Sequence, residues 1–228
     1  VAIRPQKPNF RRAKQVAENQ SLSPEQWFHR KRALACVDAL NKVGFTALYA
    51  ETAEDARKAV LEAIPEGASV GIGGSVTVRE LGLHEALKAR GNTVHDHWDP
   101  ALSAEEKAAA RDAQITADVF LSSTNAVTMR GALVNIDGTG NRVAAMIFGP
   151  KTSIVVTGYN KIVADIEEGL TRTRRYAAPI NYRRLNREFN ETDDNGRARA
   201  LAITTILEAK PGGKDKFIVV VVGEKLGY

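Results

Sequence analysis

Three stretches of this chain are apolar almost without interruption, and they restrict its fold more than any other feature: Phe120-Leu121, Ile154-Val155-Val156, and Phe217 through Val222. A strand with one face in water alternates apolar and polar residues, whereas a strand that is apolar throughout has to be covered on both sides. Helical patterns separate these runs. Ser23-Pro24-Glu25 opens a helix that extends to Lys42, with proline at the first helical position, and Gly44 closes it. Phe45 to Ala50 reads as a strand, Thr52-Ala53-Glu54-Asp55 starts a helix that ends before Pro65, and Ala68 to Ile72 reads as a strand again. A helix to Arg90, a strand over Thr93–His97, a helix over Ser103–Thr116 and a strand over Asp118–Ser122 continue the beat. The alternation predicts an α/β fold, a mostly parallel twisted sheet with helices on both faces. Residues 123–137 break it with a hairpin-like insertion turning at Met129-Arg130-Gly131-Ala132. One further helix is expected over about Lys161–Tyr176, a polar surface loop over Glu188–Arg197, and two last strands near Ala202–Glu208 and Lys216–Val222. Residues 1–23 read as an N-terminal extension to one domain over 24–228.

Composition narrows the function classes. The longest apolar run is six residues, Phe217–Val222, far short of the roughly 20 needed to cross a bilayer, and the basic N-terminus lacks a secretory apolar core. A cytoplasmic location with no membrane association is expected. The single cysteine, Cys36, allows neither an intrachain disulfide nor a thiolate cluster, and its helical context predicts a buried, inert thiol. The net charge of +5 is concentrated in an N-terminal group (Arg4, Lys7, Arg11, Arg12, Lys14) and in an arginine-rich stretch from Arg172 to Arg187. No helix-turn-helix, zinc-finger or RNA-recognition signature accompanies it, so no nucleic-acid partner is expected. The arginines read as a solvated helix face, or as a patch that docks an acidic partner.

Two corners carry the chemistry. In VGIGGSVTVRELG (70–82) a strand passes through Gly71, Gly73 and Gly74 into a helix, with Ser75 and Thr77 offering hydroxyls. Such a corner lets a ligand approach main-chain nitrogens beside the positive end of a helix dipole, which suits an anion. It is not a dinucleotide fingerprint, because Val76 stands where a third glycine is required, and no Walker lysine follows. A similar corner runs through Asn135-Ile136-Asp137-Gly138-Thr139-Gly140-Asn141-Arg142. At the carboxyl ends of parallel strands, the two corners predict one anion pocket. Thr77 and Glu80 also fit the capping box T-x-x-E, and Asp137 fits a turn acceptor. His95 and His97 share a strand face, but no third ligand is assignable, so no metal site is expected. There is no G-x-S-x-G elbow of an acyl hydrolase.

These corners, together with ADVFLSSTNAV (117–127), LVNIDGTGNRVAAMIFGP (133–150) and the closing VVVVGEKLGY, resemble the LUD-domain family, that of lactate-utilisation protein C (LutC/YkgG-like), from about Ala33 to Tyr228. The resemblance implies the NagB/RpiA/CoA-transferase-like version of the α/β fold and a role in oxidising L-lactate to pyruvate beside iron–sulfur partner subunits. It names no cofactor. Two departures matter. Many members carry a cysteine-rich segment where this chain has Asn190–Gly196 without cysteine, so that segment binds no cluster here. The aspartate that moves protons in the related isomerases is matched by Asn125, and an amide is no general base. A small anionic metabolite or cofactor is thus expected among Gly73, Gly74, Ser75, Thr77, Asn125, Asp137, Gly138, Thr139, Gly140 and Asn141, with charged contacts from Arg79 and Arg142. Glu80 is the first choice for acid, base or nucleophile if the protein turns over a substrate. The rival reading is a stand-alone transferase or isomerase acting on a phosphorylated or CoA-linked substrate.

Overall fold

The computed structural model describes residues 22–185 and 203–228. In chain order they form α1 (Pro24–Lys42), β1 (Thr46–Ala50), α2 (Ala53–Ala63), β2 (Ser69–Ile72), α3 (Val76–Glu80), α4 (Leu83–Ala89), β3 (Thr93–His95) and α5 (Ala104–Thr116). After these come β4 (Val119–Ser122), β5 (Ala126–Thr128), β6 (Leu133–Asp137), α6 (Asn141–Ile147), β7 (Thr152–Gly158), β8 (Ile162–Val163), α7 (Ile166–Arg172), α8 (Ala178–Arg184), β9 (Ile203–Leu207) and β10 (Lys216–Val222).

Six strands make the main sheet in the order β1-β10-β7-β4-β2-β3, and every pairing is parallel. Its apolar runs divide their side chains by period two. Val119, Leu121, Ile154, Val156, Val220 and Val222 enter one core cluster, while Phe120, Val155, Phe217, Val219 and Val221 enter another on the opposite face. This is why these strands read as unbroken hydrophobic sequence. The helix α1 covers the second face with Ala33, Cys36, Val37 and Leu40, and a reciprocal pair between Ser23 and Gln26 caps it.

The hairpin of residues 123–137 belongs to a second, four-stranded sheet ordered β8-β5-β6-β9, which the sequence does not anticipate. Its turn is held by Thr128, whose Oγ1 accepts from the amide of Ala132 at 2.9 Å. Gly131 adopts a φ of 88° and lies so close to α1 that a Cβ there would come within 2.7 Å of the Ala39 carbonyl oxygen.

Two helical expectations need correction. The helix expected to run unbroken to Arg90 is interrupted at Gly82, whose φ of 60° ends α3 and begins α4. The helix expected over 161–176 instead begins as a 3-10 turn at Tyr159–Lys161 and enters β8 before α7 forms. Between α7 and α8 the coil widens into a π turn, Thr173–Ala177. Pro179 has no N–H to donate backwards, and its ring displaces the carbonyl four residues earlier, within that turn. The loop of Glu188–Arg197, the N-terminal basic group and Arg187 lie outside the described residues.

Among the described residues no helix is long and apolar enough to cross a membrane.

Candidate functional site

Strand order decides where a ligand fits. From β2 the chain moves outward to the edge strand β3 and then returns across β2 to β4, so the loops leaving the carboxyl ends of β2 and β4 diverge and leave a crevice between them. A cavity of about 250 Å³ occupies this position. The Gly74–Thr77 corner walls it after β2, Ser123–Asn125 after β4, Lys161 after β7, and α8 covers it with Asn181, Tyr182 and Arg184. Residues 137–139, Asn141 and Arg142 of the second corner also line it, so the two glycine corners face one space.

The expected main-chain anion contacts are partly used by the protein itself. Ser75, not Thr77, caps α3: its Oγ accepts from the amide of Val78 at 3.2 Å. The T-x-x-E capping box therefore does not form, and Thr77 is a buried residue inside the helix. At the second corner the carboxylate of Asp137 accepts from the amide of Val143 at 3.0 Å, so a side chain of the protein holds the helix start.

Arg142 is similarly committed. Its Nε donates to Asp137 at 2.8 Å, Nη1 to the Ser123 carbonyl and to Asn135 Oδ1, and Nη2 to Asn125 Oδ1 and to the Ile136 carbonyl. All five guanidinium N–H groups thus have protein acceptors, and Arg142 joins the corner to the loop after β4 while lending positive potential to the cavity. Asn125 uses the same Oδ1 to accept from the amide of Ile136 at 3.0 Å. Arg79 donates to Asp96 at 2.8 Å. Gly73, Arg79, Glu80 and Gly140 are not in the cavity lining. The carboxylate of Glu80 accepts from the amide of Gly227 at 2.7 Å, fastening residues 223–228, whose Tyr228 lines the cavity.

The reason for glycine at position 74 is an indole. A Cβ at Gly74 would overlap Nε1 of Trp98, and this Nε1 is buried with no hydrogen-bond partner among the described residues. The guanidinium of Arg184 stacks on the same ring at 4.8 Å. Arg184 also donates to Asn181 Oδ1 at 2.9 Å and to the Tyr228 hydroxyl at 2.9 Å. His97 completes this wall. Gln114 Nε2 lies 2.8 Å from its Nδ1. Burial, aided by the charge of Arg111, pushes the imidazole down to about 4. His95 offers Gln114 only its carbonyl, and among the described residues no three His, Cys, Asp or Glu side chains gather as metal ligands.

Lys161 is the residue that the sequence left unread. It is 3% exposed, and its Nζ donates to Thr77 Oγ1 at 2.8 Å and to Ser123 Oγ at 3.1 Å. Burial first, then the charges of Arg172 and Arg142, push its ammonium down to about 7, with Glu80 opposing weakly. Arg172, expected on a solvated face or in a patch for an acidic partner, is half-buried and donates to the backbone carbonyls of Asn160 and Asn125. The sequence did hold a signal for Lys161. Gly158-Tyr159-Asn160-Lys161 ends an apolar strand, as the other corners do, but the residues after it carry a helical pattern that masks the corner.

An open parallel sheet flanked by helices, with a cation-rich cavity at its switch point, defines an open-sheet α/β protein. The chain belongs to the LUD-domain family, whose model matches residues 35–222. A solved structure described as a DUF162 family protein from Deinococcus radiodurans is similar in fold, with a TM-score of 0.52 and 16% identity over 85% of this chain and 98% of that one. No curated protein matches the chain.

Proposed function

We propose that this LUD-domain protein binds a small organic anion in the switch-point cavity and serves the oxidation of L-lactate to pyruvate in the cytoplasm, beside iron–sulfur subunits. The observation that carries the binding reading is a charge imbalance. Among the described residues Asp137 is the only carboxylate in the lining, and it is paired with Arg142. Lys161 and Arg184 have hydroxyl and amide partners, all neutral. A carboxylate or phosphate entering the cavity supplies the missing charge and gains charge-assisted hydrogen bonds away from bulk water. A cavity of about 250 Å³ suits a metabolite of a few carbon atoms better than a nucleotide. If the protein turns over its ligand, Lys161 is better placed for the chemistry than Glu80, since it lines the cavity. The isomerase route is disfavoured because Asn125 cannot take a proton and its oxygen already accepts two hydrogen bonds.

Thermal unfolding with L-lactate, pyruvate and inorganic phosphate tests this. A ligand specific to the folded state at about 100 times its Kd adds roughly 2.7 kcal/mol, which raises Tm by several degrees in a chain of this size. Arg184→Gln is expected to weaken binding about tenfold, near 1.4 kcal/mol. A Tm that none of the three anions moves overturns the proposal.

A further inference from the structure

We infer that Lys161 is a nucleophile, whose Nζ condenses with the carbonyl of a small 2-oxo acid to form a reversible imine inside the cavity. The inference rests on the anion-binding reading above and adds a covalent step to it.

Donor and acceptor accounting carries it. The Thr77 hydroxyl donates to the Leu226 carbonyl at 3.5 Å and the Ser123 hydroxyl to the Thr124 carbonyl at 3.3 Å. With their hydrogens so placed, both hydroxyl oxygens accept from Lys161. Two N–H bonds of Nζ are thereby fixed, and its remaining tetrahedral position has no protein partner among the described residues. In a neutral amine that position is the lone pair. A lysine held only as a cation is ordinarily met by a carboxylate, yet Glu80 is spent on Gly227 and lies outside the lining. Two arginines approach Lys161 instead: Arg142 shares Ser123 with it, and Arg172 grips Asn160 beside it. Like charge and burial favour the uncharged form, the setting that activates an amine toward carbonyl carbon. With Lys161 neutral, Arg184 and Arg111 remain in the lining, with no carboxylate in ion-pair contact among the described residues, to hold the substrate's own carboxylate. Hence an oxo acid is favoured over a simple aldehyde.

The step balances without an oxidant or reductant. The Nζ lone pair forms a C–N bond to the carbonyl carbon, the C=O pair moves to oxygen, and a proton passes from nitrogen to that oxygen to give a carbinolamine. Loss of this hydroxyl together with the remaining N–H proton releases one water and leaves C=N.

The protein supplies an internal control. Lys214 is also buried, and burial pushes it down to about 8, but its Nζ donates to the carbonyls of Ala145 and Pro150, away from the cavity. Wild-type protein is incubated with pyruvate and cyanoborohydride, and the product is analysed by intact mass and peptide mapping, with a parallel thermal shift in pyruvate alone. The expected result is a mass gain of the acid less one oxygen atom. The adduct should sit on Lys161 at least an order of magnitude above Lys214 or any surface lysine, and excess lactate should suppress it. Lys161→Arg, whose guanidinium offers no free lone pair to a carbonyl carbon, should abolish the adduct while Lys214 and the surface lysines keep their background level. Pyruvate stabilisation with no adduct overturns the nucleophile and leaves the binding proposal standing. Adducts spread over lysines and indifferent to lactate also overturn it. Absence of the adduct together with a Tm that pyruvate, L-lactate and inorganic phosphate all leave unmoved overturns the two together.

Discussion

Three buried bases, His97, Lys161 and Lys214, tie the stability of the protein to pH in the same sense. His97 is held at about 4 in the fold against 6.5 when free, so the unfolded chain binds the extra proton between those values and stability rises as pH climbs through that window. Lys161, held at about 7 against 10.5, adds a second rise that starts near pH 7, and Lys214 joins it from about 8. Cys36 opposes them above pH 9, because burial holds its thiol up at about 12. Urea unfolding as a function of pH should therefore show stability gained from pH 4 to 6.5 and again from 7 to 9. His97→Gln should flatten the first limb and Lys161→Met most of the second. An unchanged second limb in Lys161→Met would place the lysine outside the buried state described. At this scale the sequence disclosed residue types but not their commitments. Arg142 and Asp137 were legible as site residues, yet that they would pair with each other is a matter of side-chain direction, which spacing does not carry. Lys161 was hidden for a different reason: its importance comes from Thr77 and Ser123, residues 84 and 38 positions away in the chain.

Among the elements, the parallel strands were the most legible, since burial on both faces leaves a continuous apolar signature in the sequence itself. The second sheet was not, because β8 has only two residues and its pairing with β5 is a tertiary event. Glycines at the joints of these elements give sharp tests. Gly74→Ala forces Trp98 off the corner and with it the stacked Arg184. The variant should fold and bind anions at least several-fold more weakly in the thermal-shift titration. Gly131→Ala acts on the hairpin instead, combining a φ of 88° with a backbone clash against α1. Its expected effect is a loss of about 2 kcal/mol or more in urea unfolding, without any change in ligand preference.

For the molecule as a whole, the cavity depends on the ends of three adjacent parallel strands and on the fastening of residues 223–228. Asn160 accepts from the amide of Leu226 and donates to the Gly227 carbonyl, while Glu80 accepts from the amide of Gly227. If Glu80 is a fastener, Glu80→Gln, which retains an acceptor oxygen, should leave anion affinity within about twofold. Glu80→Ala should weaken it further by releasing Tyr228 from Arg184. Loss of turnover in Glu80→Gln with affinity intact would instead assign the carboxylate to chemistry.

β10 has a further consequence. It is the last strand in chain order among the described residues, yet it lies between β1 and β7 and pairs with both. Until residues 216–222 have left the ribosome, the first strand and the block built on β7 have no common partner, so β1 has no strand to pair with until then. Amide hydrogens of β1 in a ribosome-bound chain halted before residue 216 should exchange freely, and they should become protected only once that segment is added.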